Sequence, residues 1–399
     1  MSRPGPQPGP LGDLKVVEMG QLIAGPFCGQ LLGDMGAEVV KVEPPGAGDP
    51  MRVWGQGAPV WWEVIARNKL SVSLNLRTPR GQALARRLIG EADVLIENFK
   101  PGTLEGWNLA PEDLRRDYPR LIVVRMSGYG QTGPYSGRAG FGGIAEAFGG
   151  WRRLVGDPDR PPSRMGVSIG DTLAASYGCM GVLAALHHRE RSGRGQVIDA
   201  ALYESVLQVM EGMVAEYSAA GVTRQRSGAV LPGIAPSNVY PCADGEFMIG
   251  ANQDGLFRRL AGVMGRLELA DDPRYADHRS RGDNQMELDK LIAAWTRTRT
   301  VDFVEAAMLE AGIPGGRLLA PADMLDDPHF AAREAIVAID HPRWPGLKMQ
   351  APFPKFSETP GAVRSIAPQT VGEHNGAILG GRLGLTSAEL ARLEAEGVI

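Results

Sequence analysis

Along the first 130 residues, apolar positions follow two periods in turn. The runs Leu14–Met19, Ala37–Val42, Asp93–Glu97 and Leu121–Met126 are short, rich in aliphatic residues and of strand length. Leu70, Val72, Leu74 and Leu76 alternate with polar residues, as in a half-buried strand. Between these runs the period lengthens. Phe27, Leu31 and Met35 recur at i, i+4, i+8, with Pro26 suited to a first helical turn and Gly36 to a helix stop. Thr78 and Pro79 open a second helix through about Gly90, and Pro111–Tyr118 forms a short third. Strands alternating with amphipathic helices predict a Rossmann-like α/β unit around a parallel sheet.

A glycine-rich stretch follows, Gly128 to Gly150, and backbone of that freedom often serves close approach to a ligand. The pattern then predicts a long helix from near Asp171 to about Glu190, a strand Gln196–Ala200 and a helix from about Tyr203 to Ala219. After Gly221 the periodicity stops. Residues 221–235 read as a linker between a large α/β domain, begun by residues 1–220, and a smaller α+β domain at 236–320. In the latter, Val239–Cys242 and Glu246–Gly250 flank the turn Ala243-Asp244-Gly245 as a hairpin. Helices are expected at about Leu256–Met264, Gln285–Arg297 and Val301–Ala311. Residues 321–399, richer in Pro and Gly, are expected to return to the large domain.

Composition narrows the function by exclusion. The 399 residues are 43% hydrophobic and 22% charged, with a net charge of −4, so no global pull toward nucleic acid or a membrane is expected. The opening MSRPGPQPGPLGD has no apolar core and reads as a frayed tail, and no uninterrupted apolar run approaches the ~20 residues of a membrane span. Cys28, Cys179 and Cys242 are widely spaced without a CxxC pair, which suits reduced thiols in a cytoplasmic protein. The six histidines lack metal-ligand spacing, and no metal is expected.

Candidate chemistry lies at the predicted strand ends. Gly20, Gly25 and Gly29 do not make the dinucleotide-binding GxGxxG, and GxxxxGK[ST] is absent. A nucleotide-dependent oxidoreductase therefore rests on the βαβ pattern alone. The helix start near Gly25 could still receive a phosphate or a developing negative charge. Six cations, Arg52, Arg67, Lys69, Arg77, Arg80 and Lys100, make either a solvated face or a site for a phosphorylated ligand. Asp171 falls where the long helix begins, the place of an N-cap. The same placement keeps a carboxylate ionised, as a nucleophile must be.

Seven segments in order carry a resemblance: GQLIAGPFCGQLLGDMGAEVVKVEPPGAGDPMR, ARNKLSVSLNL, ADVLIENFKPGTLEGWNL, SGYGQTGPYSGRAGF, SIGDTLAA, GRGQVIDAALYES and AGIPGGRLLAPADMLDDPHFAARE. Together they resemble the CaiB/BaiF family, the class III CoA-transferases with the related α-methylacyl-CoA racemases, over nearly the whole chain from about Leu11. In character the chain is nearest the succinyl-CoA–dependent dicarboxylate transferases. The resemblance implies an interlocked homodimer that takes an acyl-CoA donor and a carboxylic acid acceptor, with coenzyme A as substrate. It makes Asp171 the catalytic nucleophile. Gln21 and Ala24 would line the thioester end of CoA. Arg67, Lys69 and Asn98 would hold its adenine and phosphates, with Lys100 and Arg138 as further cations. Gly106 stands where the family often has Arg. Ile249–Gly255 takes the place of a mobile glycine-rich lid but is poorer in glycine. Racemases of the family carry a His base where this chain has Gly140-Phe141; Phe cannot abstract a proton, which favours transfer over epimerisation. Arg164, Arg224 and Arg226 are candidates for binding a substrate carboxylate.

Overall fold

A computed structural model describes residues 9–399; most of the expected frayed tail, residues 1–8, lies outside the described residues. The chain divides into two compact units. The first comprises the chain up to Trp151, Met165–Val214 and Arg333–Ile399, and the second comprises Arg152–Arg164 and Ala215–Ala332. The 221–235 segment thus belongs to the second unit, and the return to the first begins at Arg333, twelve residues after the expected 321.

The first unit is built on six parallel strands: β1 (Lys15–Glu18), β2 (Glu38–Glu43), β3 (Lys69–Ser73), β4 (Val94–Glu97), β5 (Ile122–Ser127) and β6 (Val197–Ala201). Their order is β3-β2-β1-β4-β5-β6, so the connection reverses direction between β1 and β4. Open sheets of this kind bind ligands outside the carboxyl ends of their strands at that switch point. Neighbouring residues along each strand feed opposite faces. Val16, Val39, Ile96 and Ile122 enter one core with Ala24, Cys28 and Leu32 of the helix Ala24–Asp34 and with Ala174, Cys179 and Val182 of the helix Ile169–Ser192. Val17, Val40, Leu95 and Val123 enter the other with Leu84 and Leu88 of the helix Pro79–Gly90. Ile378, Leu379, Leu393 and Val398 from the far end of the chain complete that second layer. Burial on both faces is why these strands read as aliphatic runs.

The helix Ile169–Ser192 is long and apolar enough, by length and composition, to cross a membrane. Here its apolar stripe packs against the helix Ala24–Asp34 and β5. The expected single helix over 203–219 is two, Leu202–Gln208 and Met213–Ala220, separated by a bend at Glu211 (φ 53°). Inside the glycine-rich stretch a helix runs from Gly142 to Phe148.

In the second unit, β7 (Ser237–Pro241), β8 (Glu246–Gly250) and β9 (Gly315–Arg317) form an antiparallel sheet. The helices Asp254–Val263, Gln285–Thr296 and Val301–Glu310 close over a core that includes Tyr240, Phe247, Phe257 and Ile292. The segment 249–255 is the end of β8 and the start of a helix, joined by three residues. Fully buried Arg281 donates to the Asn252 carbonyl at 2.8 Å and to Asp254 at 2.6 Å, which ties that junction down.

Candidate active site

Asp171 is not the helix cap that its sequence position suggests. Ser168 lies outside helical geometry (φ −84°, ψ 65°), its carbonyl accepts from the Thr172 amide at 3.1 Å, and Asp171 is the third residue of the helix. The helix starts at Ile169, two residues early, and Gly170 fits against the backbone of Gly142: a β-carbon at 170 would stand 3.1 Å from the Gly142 carbonyl oxygen. The carboxylate remains in the first turn, where the helix dipole favours its charge. It lies directly on Gly142, where an added β-carbon would meet Asp171 Oδ2 at 2.1 Å. Gly142 is set by a second close approach. The backbones of Gly128 and Gly140 touch, since a β-carbon on Gly128 would stand 2.8 Å from Gly140 Cα. The intervening loop folds back on itself and delivers residues 141 and 142 beside Asp171. Phe141 is 71% exposed.

The loop after β1 opens at the same edge of the sheet. The two helices run side by side, with Cys28 Sγ 3.6 Å from where a β-carbon on Gly178 would be. Four residues back along one helix is Ala24, and seven back along the other is Asp171. Both helices precede or follow parallel strands in the same sense, so their N-termini open at the carboxyl edge of the sheet. Asn98, just past β4, stitches the switch point: its Oδ1 accepts from the Gln21 amide at 2.7 Å and its Nδ2 donates to the Gln21 carbonyl at 2.9 Å. Asn98 therefore holds the Gln21 backbone.

Arg67 and Lys69 are not free cations. Arg67 is 2% exposed, with Nη2 2.6 Å from Asp34 Oδ2 and Nη1 donating to the Gln350 carbonyl at 2.7 Å. Lys69 is 1% exposed, and its Nζ lies 2.6 Å from both Glu18 Oε2 and the Pro26 carbonyl. Burial outweighs the attraction of Glu18 and pushes the Lys69 ammonium below its ordinary range. Lys41 shares the same carboxylate, 2.9 Å from Glu18 Oε1, and also pairs with Asp49 at 2.8 Å. Burial opposes its charge, but Glu18, Asp49 and Glu43 together hold it above the usual lysine range. Arg52 is paired with Glu43 and stacked over Trp62, and Arg80 pairs with Glu396. Glu43 lies below the ordinary carboxylate range, since the Arg52 hydrogen bond and the Lys41 charge overcome its burial.

Arg77, at the end of the β3 connection, and Lys100, two residues past Asn98, are exposed. Arg138 is exposed too, its guanidinium 3.5 Å from the centre of the Tyr135 ring. Around Gly106 a β-carbon would meet nothing within 4 Å, so the place of the family's arginine is open. Arg164, Arg224 and Arg226 belong to the second unit; Arg224 pairs with Glu216, and Arg226 donates to the Asp157 and Pro158 carbonyls. Sequence reasoning passed over Glu18, Lys41 and Asp49. For Glu18 and Lys41 the available signal was a charge within an aliphatic parallel strand, where both faces are covered and the charge must find a partner inside.

Comparison with known proteins agrees with this architecture. The profile described as CoA-transferase family III matches residues 11–375. Succinyl-CoA–D-citramalate CoA-transferase of Chloroflexus aurantiacus is 54% identical over 397 residues, covering 98% of each chain. The β subunit of succinyl-CoA–L-malate CoA-transferase from the same organism is 41% identical, again over 98% of each. The crystal structure of a CaiB/BaiF family protein from Brucella suis, 36% identical, superimposes with a TM-score of 0.84 over 93% of this chain and 99% of that one.

Proposed function

The chain belongs to CoA-transferase family III, and we propose that this enzyme moves CoA from succinyl-CoA to a 2-hydroxydicarboxylic acid of the malate or citramalate type, with Asp171 as nucleophile. The observation that carries the reading is the carboxylate of Asp171 in a helix's first turn, laid on Gly142. The identity of the donor and the class of acceptor come from the two Chloroflexus relatives.

Exchange of one thioester for another is nearly energy-neutral, so the chemistry needs only positioning and charge stabilisation. An Asp171 oxygen adds to the succinyl carbonyl, and the C–S bond breaks to give a mixed succinyl-aspartyl anhydride and CoA thiolate. The thiolate adds to the aspartyl carbonyl and expels succinate, leaving an aspartyl-CoA thioester. The acceptor carboxylate then displaces the thiolate to form a second anhydride. Attack of the thiolate on the acceptor's carbonyl releases the new thioester and regenerates Asp171. Each addition places negative charge on a carbonyl oxygen, and first-turn amides, which have no partner within their own helix, suit that charge. In this reading Gln21 and Ala24 face the thioester, Asn98 fixes Gln21, and Lys100 and Arg138 meet the CoA phosphates. A homodimer belongs to the same reading. It is supported by the family resemblance and by the exposed Phe141, Ile144 and Phe148 at and along one short helix.

The test pairs substrate and nucleophile. Succinyl-CoA is offered with a panel of mono- and dicarboxylic acids, and products are read by mass spectrometry. Hydroxylamine added during turnover traps the acyl-enzyme as a hydroxamate. The expected label maps to the peptide containing Gly170-Asp171-Thr172, and Asp171→Asn loses several orders of magnitude in rate while folding normally. A label on another carboxylate refutes the assignment.

A further inference from the structure

The segment Gly20–Pro26 is a short irregular loop running into the first residues of the helix Ala24–Asp34, and its polar backbone is fixed at several steps. Lys41 Nζ donates to the Gly20 carbonyl at 2.7 Å, Asp49 Oδ1 accepts from the Leu22 amide at 3.0 Å, and Lys69 Nζ donates to the Pro26 carbonyl at 2.6 Å. Leu22 is held in the left-handed region (φ 62°), unfavourable for a branched residue without such support. The two lysines share one wholly buried counterion, Glu18, one on each carboxylate oxygen. Glu18 in turn rests against Gly29, where a β-carbon would stand 2.0 Å from Oε2.

Three buried charges under one loop are an expensive way to gain stability, since well-packed apolar side chains would serve as well or better. What they supply that apolar packing cannot is direction: rigid donors and acceptors aimed at particular peptide groups. We propose that Glu18, Lys41 and Lys69 are positioning residues that preset the Gly20–Pro26 backbone for the transfer reaction, and that Lys69 is not a ligand for CoA. The proposal rests on the reading of this loop as the thioester-facing wall. With the loop preset, the Gln21 side chain and the amides of Ala24 and Gly25 are in place before substrate arrives, so no reorganisation accompanies charge development.

Two variants test it. Lys69→Met removes one arm, and Glu18→Gln with Lys69→Met removes the arm and its counter-charge together, leaving Lys41 paired with Asp49. Folding is followed by thermal melting, and the double variant is read if the single one collapses. The expected result is a fall in kcat of at least thirtyfold with KM for succinyl-CoA within threefold, and the same loss with succinyl-dephospho-CoA. Hydrogen exchange at Gln21 and Leu22 should quicken at least tenfold. A folded double variant with kcat within threefold of wild type overturns the proposal, as does a loss confined to the thioester bearing the 3′-phosphate, which would make Lys69 a phosphate contact. If wild-type enzyme transfers CoA to none of the acids tested, the functional reading fails by itself. The exchange measurement then still decides the frame, and unchanged exchange refutes it.

Discussion

Replacing Gly142 by Ala separates catalysis from stability at one atom. The backbone at 142 is not in the left-handed region, so alanine is accommodated there, and as the first residue of a helix it gains up to about 1 kcal/mol of helical preference over glycine. The new methyl group would stand 2.1 Å from Asp171 Oδ2, whereas carbon and oxygen in contact sit about 3.3 Å apart. One of the two must give by roughly 1 Å, and the end of a side chain gives more readily than a helix backbone. The carboxylate turns, at a rotamer cost of about 0.5–1.5 kcal/mol that the helical gain largely offsets. Thermal melting should therefore change little. A nucleophile displaced by that much loses about two orders of magnitude in rate, or ~2.7 kcal/mol. Initial rates of CoA transfer and the amount of trapped hydroxamate should fall in parallel. A Gly142→Ala enzyme that melts normally and turns over within threefold of wild type refutes the placement of Asp171 as the reacting group.

Arg67→Ala leaves Asp34 buried without its counter-charge, so it should destabilise the fold by about 3–5 kcal/mol in urea titrations and leave CoA-ester affinity unchanged in the folded fraction. Lys100→Ala and Arg138→Ala should show the reverse. Each is expected to weaken binding of a CoA ester by about 1–3 kcal/mol by calorimetry with no loss of melting temperature. Phe141, next to Gly142 on the Asp171 loop, cannot abstract a proton, so a 2-methylacyl-CoA incubated with enzyme in deuterated water should keep its α-hydrogen, which mass spectrometry reads directly.

The parallel sheet was legible from the chain because β1, β2, β4 and β5 are largely buried and carry short runs of aliphatic residues of strand length. Asp171 was legible as the start of a helix and, by resemblance, as a nucleophile. Its offset from the cap was not legible, because the start of the helix sits where Gly170 meets Gly142, 28 positions away in the chain. Charge in the sequence was the least informative signal. Arg67 and Lys69 look like Lys100 on paper, but the first two follow the interior register of β3 and are taken up by Asp34 and Glu18. Arg52 and Arg80 likewise find partners far along or beyond their own segment.

The C-terminal segment carries a consequence for how the protein is made. Ser71 and Ser73 of β3 donate their amides to His374 and Asn375, and the amide of Asn75 to the carbonyl of Val398. These partners leave the ribosome some 300 residues after β3, which at ~5–20 residues per second is roughly 15–60 s later. Throughout that interval one aliphatic face of the nascent sheet is covered only in part, by the helix Pro79–Gly90 and its neighbours, while the second unit is synthesised almost in one piece and can close around its own core. Vectorial synthesis thus leaves the catalytic unit as the last to mature and the more dependent on chaperones. A ribosome stalled before residue 374 would display all six strands with part of one face bare.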